Sequence, residues 1–257
     1  MITLKSPLQI AAMRRAGALL YEVLQTVKDA VKPGVSTLAL NDLAERLIRN
    51  AGAEPSFLGY EGFPASLCTS VDSRVVHGIP SAEEILREGS IISLDCGLVL
   101  NGWQADSALT VPVGRVSDEM LRLIRVTEDC FFAGAREAAA GHTIGDIGQA
   151  VADTAHAAGF TSVRDLTGHG IGREMHEEPT VYLYGQAGHG LRLRGGMTIA
   201  IEPMIAAGDW HVDEEDDGWG VVTHDGSPAS HYEHTLAISD GLPELLTLPG
   251  YVWKEDA

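Results

Sequence analysis

The sequence predicts an α+β fold made of two similar helix–sheet halves, and three observations carry that prediction. The stretch Ile91 to Thr110, IISLDCGLVLNGWQADSALT, reads as a β-hairpin, with apolar runs on both sides of Asn101-Gly102. Helical patterns precede the hairpin, and after Pro112 helical patterns begin again. The segments VKPGVSTLALNDLAERLIRNAGA and AAGHTIGDIGQAVADTAHAAGF then follow one plan, with a Gly before a helix and a Gly after it. Gly34 and Gly141, Gly52 and Gly159, and Leu40 and Ile147 are each separated by 107 residues. Two copies are too few for a solenoid and suggest halves related by a pseudo-twofold axis. One domain spanning residues 1–257 is expected, with halves of about 1–115 and 116–257. A site between the halves is natural, because clefts at such junctions commonly bind ligands.

Each element has its own signal. Ser6 is an N-cap with Pro7 at the first helical position, and the stripe Ile10, Met13, Leu20, Leu24, Val27 predicts a helix to about Val31. Pro33-Gly34 ends it. A second helix runs from near Leu38 to Asn50, stopped by Gly52. The loop GAEPSFLGYEGFPAS leads to strand-like pieces at Leu67–Ser70 and Arg74–Val76, and then to His77-Gly78-Ile79-Pro80. Beyond the hairpin, Asp118–Ala139 reads as a helix and the second repeat as another. Strands are expected at MTIAIEPMI (197–205) and HYEHTLAIS (231–239). The acidic loop DWHVDEEDDGW (209–219) carries four carboxylates from Asp213 to Asp216. It is expected to be solvated, as charge runs usually are, and it lacks the EF-hand pattern of a calcium site.

Composition excludes several function classes. A net charge of −18 argues against non-specific nucleic-acid binding. No run of 18 apolar residues predicts a membrane span, and the start of the chain has no apolar segment with a small-residue cleavage site. Cys68, Cys96 and Cys130 are odd in number and outside any CxxC pattern, which suits a reducing compartment. A cytoplasmic location is therefore expected.

The chemistry rests on a few acidic residues and a histidine. An Asn-Gly type I′ turn sets the hairpin register, with Asp95 opposite Ala108 and Asp106 opposite Gly97. Asp95 and Asp106 are then diagonal neighbours on one face, roughly 7–8 Å apart. They either face solvent on a wet face or converge on cations. Glu202 and Glu233 each interrupt an apolar strand that contains no Lys or Arg, and Glu is rarely buried without a partner. His169 lies between glycines, where backbone can approach closely; such a histidine, taken alone, is more often structural than a ligand. Four carboxylates and one imidazole suit two hard or borderline divalent ions with bridging carboxylates better than a closed tetrahedral zinc.

The ordered set His77-Gly78-Ile79-Pro80, DCGLVLNGWQAD, GHGIGREMHEEP, AIEPM and YEHT resembles the type I methionine aminopeptidases in their short bacterial form, and the resemblance covers nearly the whole chain. It implies the pita-bread fold, in which two pseudo-symmetric halves cradle a dinuclear metal site. It also implies that Asp95 chelates one ion, that Asp106 and Glu233 bridge both, and that His169 and Glu202 complete the other. Cobalt, manganese, iron, zinc or nickel would serve. His77 and His176 resemble the family's catalytic pair near the substrate, and Glu202 would relay a proton from water to the leaving amine. Tyr60, Phe63, Cys68, Met175 and Trp219 would form the methionine pocket, with Phe57 nearby.

Phe57, Phe63 and Met175 stand where better-known bacterial members often have Cys, Tyr and Phe, and His231 is a further departure. The implied function is removal of the initiator methionine from nascent chains with a small second residue. A monomer is expected, with at most transient ribosome contact and no direct binding to nucleic acid or membrane. A prolidase or Xaa-Pro aminopeptidase fits less well, because those enzymes usually carry a long N-terminal domain and only about 30 residues precede the first repeat here. A non-catalytic member of the fold would be expected to lack metal ligands, and this chain keeps all five.

Overall fold

The computed structural model describes residues 2–254. The first half contains α1 (Pro7–Ala30), α2 (Thr37–Asn50), β1 (Glu54–Pro55), β2 (Cys68–Val71), β3 (Arg74–Val76) and the hairpin β4 (Ile91–Leu100) and β5 (Trp103–Pro112). After it come α3 (Asp118–Arg136), α4 (Ile144–Ala157), β6 (Thr161–Ser162), β7 (Gly168–Gly170), β8 (Glu177–Val181), β9 (Thr198–Ile201) and β10 (Met204–Ala206). The chain closes with β11 (Val212–Glu214), β12 (Val221–Thr223), β13 (Ala229–His231), β14 (Glu233–Ala237) and β15 (Glu244–Leu245). Ser6 caps α1 as expected: its hydroxyl accepts from Gln9 N, and the Gln9 side chain accepts from Ser6 N.

A nine-stranded antiparallel sheet runs in the order β1-β4-β5-β14-β9-β7-β8, with β2 also on β4 and β15 also on β14. The hairpin has the expected register. Asp95 pairs with Ala108 and Gly97 with Asp106, and the turn residues Asn101 and Gly102 have φ of 53° and 74°. Alternation then sorts the two faces of β4. Ile92, Leu94, Cys96 and Leu98 join Leu20, Leu24, Leu40 and Ile48 of α1 and α2 in one buried core. Ser93, Asp95 and Gly97 therefore point the opposite way, into the cleft. A second core gathers Phe131, Ile147 and Val151 of α3 and α4 against Ile199, Ile201 and Leu236.

Two expected strands are broken, and at matching places. MTIAIEPMI divides at Glu202-Pro203 into β9 and β10, and HYEHTLAIS divides at Tyr232 into β13 and β14. Pro203 has no N–H for a ladder. The two chains change direction together: β9 pairs with β14 in the large sheet, β10 with β13 in a three-stranded sheet, and Tyr232 N donates to Pro203 O at the crossing. Helix α3 stops at Arg136, short of Ala139, because the Ala140 N–H is taken by the Ser239 carbonyl. The acidic loop is partly structured rather than wholly solvated. Glu214 pairs with Val221, and Glu215 grips the Arg74 guanidinium with both oxygens.

Candidate metal centre and active site

The register places the predicted ligands side by side. Cys68, Asp95, Ala108 and Glu233 form one row across β2, β4, β5 and β14. Asp106 lies two residues from Ala108, on the same face of β5. From the other direction His169 on β7 pairs with Ala200 on β9, two residues before Glu202. Ala108 and Ala200 are fully buried, and their small side chains leave the space that the four carboxylates and the imidazole enter.

All five predicted ligands therefore converge, and the wet-face reading of the hairpin is wrong: Asp95 and Asp106 are buried. The His169 ring Nδ1 donates to the Gly170 carbonyl at 2.8 Å, which leaves the Nε2 lone pair free. Nε2 is 3.8 Å from Asp106 Oδ2 and 3.6 Å from Glu202 Oε1. Ligand atoms of Asp106, His169 and Glu233 lie within 4.8 Å of one another.

Electrostatics show what this cluster requires. Asp95 Oδ1, Asp106 Oδ1 and Glu233 Oε1 are buried without any hydrogen-bond partner. Burial pushes the Asp95 carboxyl up to about 7, although its hydrogen bond with Asp106 opposes this. Burial, then repulsion from neighbouring carboxylates, raises Asp106, Glu202 and Glu233 well above the ordinary range. Burial also pushes His169 down to about 4, so its ring is neutral. Acceptors held together in this way, without donors, fit divalent cations: two M²⁺ ions balance four carboxylates, and the neutral imidazole supplies a lone pair.

A cavity of about 130 Å³ adjoins the cluster. Its apolar wall comprises Phe57, Tyr60, Phe63, Cys68, Met175 and Trp219, which includes every predicted pocket residue. Phe63 and Trp219 meet edge-to-face at 5.1 Å. Gly97 lies beneath this wall, since a Cβ there would stand 2.8 Å from Met175 Cε and 2.9 Å from Phe57. Burial raises the Cys68 thiol and neighbouring Asp95 raises it further, so it stays neutral. On the other side, His77, Asp95, His169, His176 and Glu202 border a larger groove of about 550 Å³ that continues past Asp165 and Glu178.

His77 and His176 stand where the pocket meets the groove. His176 stacks edge-on against His169 at 4.3 Å, and its Nδ1 is 2.8 Å from the Tyr60 hydroxyl. Lys5 reaches Glu177, which also accepts from the N–H groups of Arg173 and Glu174 and so secures the turn carrying Met175 and His176.

Two residues at the site were absent from the predicted set. Glu61 lines the cavity from a left-handed backbone position, φ 49°, in a loop without periodicity. His231 is buried beside Glu202 and Glu233, and burial pushes it down to about 3. Its signal in the sequence was its place two residues before Glu233.

Comparison with known proteins agrees with this geometry. The sequence profile described as metallopeptidase family M24 matches residues 11–240. The methionine aminopeptidase of Clostridium acetobutylicum is 48% identical over 248 residues, covering 96% of this chain and 99% of the relative. Methionine aminopeptidase 1 of Bacillus subtilis is 43% identical over 247 residues, covering 96% and 99%. The crystal structure of methionine aminopeptidase from Rickettsia prowazekii superposes with a TM-score of 0.95 at 40% identity, covering 96% of this chain and all of that one. The prolidase of Pyrococcus furiosus shares the fold, with a TM-score of 0.78 at 19% identity, but this chain covers only 66% of its length. The chain belongs to metallopeptidase family M24 and, within it, to the methionine aminopeptidases.

Proposed function

We propose that this enzyme releases the N-terminal methionine from peptides and nascent proteins whose second residue is small, using two divalent ions. Asp95, Asp106, His169, Glu202 and Glu233 would hold the ions. The ions, when bound, supply Lewis acidity and a water of lowered pKa.

The chain's own residues do the rest. The apolar wall of the smaller cavity takes the methionine side chain, to which apolar and aromatic surfaces are suited, and the larger groove takes the remainder of the peptide. The scissile bond then lies at their junction, beside Glu202, His77 and His176. Glu202 accepts the proton of the attacking water and returns it to the leaving amine as the C–N bond breaks. The Tyr60 hydroxyl, donating to His176 Nδ1, leaves the proton on Nε2, where it meets the charge developing on the carbonyl oxygen. His77 contacts the scissile amide or the backbone of the next residue.

The observation that carries this reading is the small cavity whose apolar wall, from Phe57 to Trp219, is set directly against the carboxylate cluster. Cobalt, manganese, iron, zinc and nickel all suit the donor set, and cellular supply selects among them. The substrate reading places the enzyme in the cytoplasm, as a monomer in transient contact with ribosomes. No helix among the described residues is long and apolar enough to cross a membrane.

The test is to load chelated protein with each metal and to compare Met-Ala-Ser with Ala-Pro-Ser. Release of Met from the first peptide is expected. Hydrolysis of only the proline peptide, or of neither, sinks the proposal.

A further inference from the structure

The five ligands leave one member of the buried cluster unexplained. His231 is 1% exposed, and neither of its ring nitrogens has a hydrogen-bond partner. Leaving an imidazole buried and unpartnered is costly. Its Nε2 lies 3.8 Å from Glu202 Oε2 and 3.9 Å from Glu233 Oε2. Both distances are too long for hydrogen bonds. They match the 3.8 and 3.6 Å that separate His169 Nε2 from Asp106 and Glu202. Atoms that each stand about 2.1 Å from a shared ion are separated by up to roughly 4.2 Å. Ligand atoms of Glu202, His231 and Glu233 also lie within 4.8 Å of one another, as do those of Asp106, His169 and Glu233. Glu202 thus presents Oε1 to one imidazole and Oε2 to the other.

The backbone of His231 is fixed to match. The Thr110 hydroxyl accepts from His231 N at 2.9 Å and donates to His231 O at 2.8 Å, and Ser93 Oγ contacts that hydroxyl at 2.8 Å. The last residue of β13 is therefore held on the hairpin that carries Asp95 and Asp106, just before the chain turns at Tyr232.

We propose that His231 is a sixth protein ligand, giving the metal centre a second imidazole beside Glu202 and Glu233. This rests on the dinuclear reading above. A second nitrogen donor tilts the site toward cobalt, nickel or zinc and away from manganese, because imidazole favours the later metals.

The test uses full-length protein labelled with ¹⁵N-histidine and loaded with cobalt(II). Ring protons of cobalt-bound histidines are displaced far outside the diamagnetic range, so bound imidazoles can be counted by NMR. Two displaced histidines are expected in the wild type and one in His231→Gln. The variant should also lose about 10- to 100-fold in cobalt affinity by calorimetry, and less in manganese affinity. The wild-type count does not depend on the variant folding. One displaced histidine in the wild type, unchanged in His231→Gln, overturns the proposal. Hydrolysis of Met-Ala-Ser separates the two claims. Activity with one bound imidazole defeats only the sixth ligand, whereas failure to hydrolyse the peptide defeats the functional reading whatever the count. Failure to bind any ion defeats both.

Discussion

Removing the metal and raising the pH exposes the cost of burying Asp95. In the folded protein this carboxyl is pushed up from an ordinary 3.8 to about 7, chiefly by burial. Between those values the folded state holds a proton that the unfolded chain has released. The sign follows: stability is present at low pH and is lost as pH rises through the window to about 7. One proton held only by the folded state changes stability by about 1.4 kcal/mol per pH unit. For a group titrating near 7, the loss between pH 6 and 8 is on the order of 1 kcal/mol, or roughly 2–4 °C in Tm for a chain of this size. Buried His169, pushed down to about 4, and His231 and His234, pushed down to about 3, act in the opposite sense below pH 6.5. Their contribution cancels when metal-free wild type is compared with metal-free Asp95→Asn at each pH. The variant should gain on the wild type as pH rises from 6 to 8 in urea unfolding, the more so because it also relieves Asp106, Glu202 and Glu233 of the Asp95 charge. With metal added the order should reverse, because the wild type then has its full ligand set. A metal-free difference that stays flat or shrinks as pH rises would refute the claim that Asp95 is a strained buried acid awaiting a cation.

Three further outcomes are expected. Asp106→Ala should abolish metal loading, measured by calorimetry, together with Met release, and should be more damaging than Asp95→Ala if Asp106 is the shared ligand that the resemblance implies; full activity in the variant would remove the metal assignment. His176→Ala should keep its metals but lose kcat by about 10²–10³-fold, and Tyr60→Phe should lose part of the same factor; loss of the metals with His176 would make it a ligand. Lys5→Met breaks a pair whose side chains are 2% and 15% exposed. It should cost about 3 kcal/mol in thermal unfolding and raise KM by loosening the Met175–His176 turn, and an unchanged Tm would show that the clamp is idle.

The hairpin was legible because its information is local. Asn101-Gly102 specifies the turn, the turn specifies the register, and alternation places Asp95 and Asp106 on one face. The convergence of His169, Glu202 and Glu233 on that face depends on pairings between distant strands. No local signal encodes them, and only the motif resemblance anticipated them. The breaks at Glu202-Pro203 and Tyr232 carry little local signal, because strand-like residues resume beyond each of them. Pro203 was the available clue. Glu61 was hidden in an irregular loop. Glu215 gives no local sign of its partner, because Arg74 is far away in sequence. His231 is unusual in type, but its burial between two carboxylates follows from the paired kinks of two strand segments and cannot be read from one strand.

Those paired kinks also bear on the order in which the protein assembles. Asp95 and Asp106 arrive together, in a hairpin whose ladder closes over neighbouring residues. Glu233 joins them only when β14 docks on β5, and His169 and Glu202 only when β7 and β9 dock in turn. Long-range pairings of this kind form slowly, after local ones. The hairpin alone therefore brings together two carboxylates, while the other three side chains of the cluster depend on pairings far apart in sequence. The full set of five side chains therefore exists only where all of these strand pairings are made.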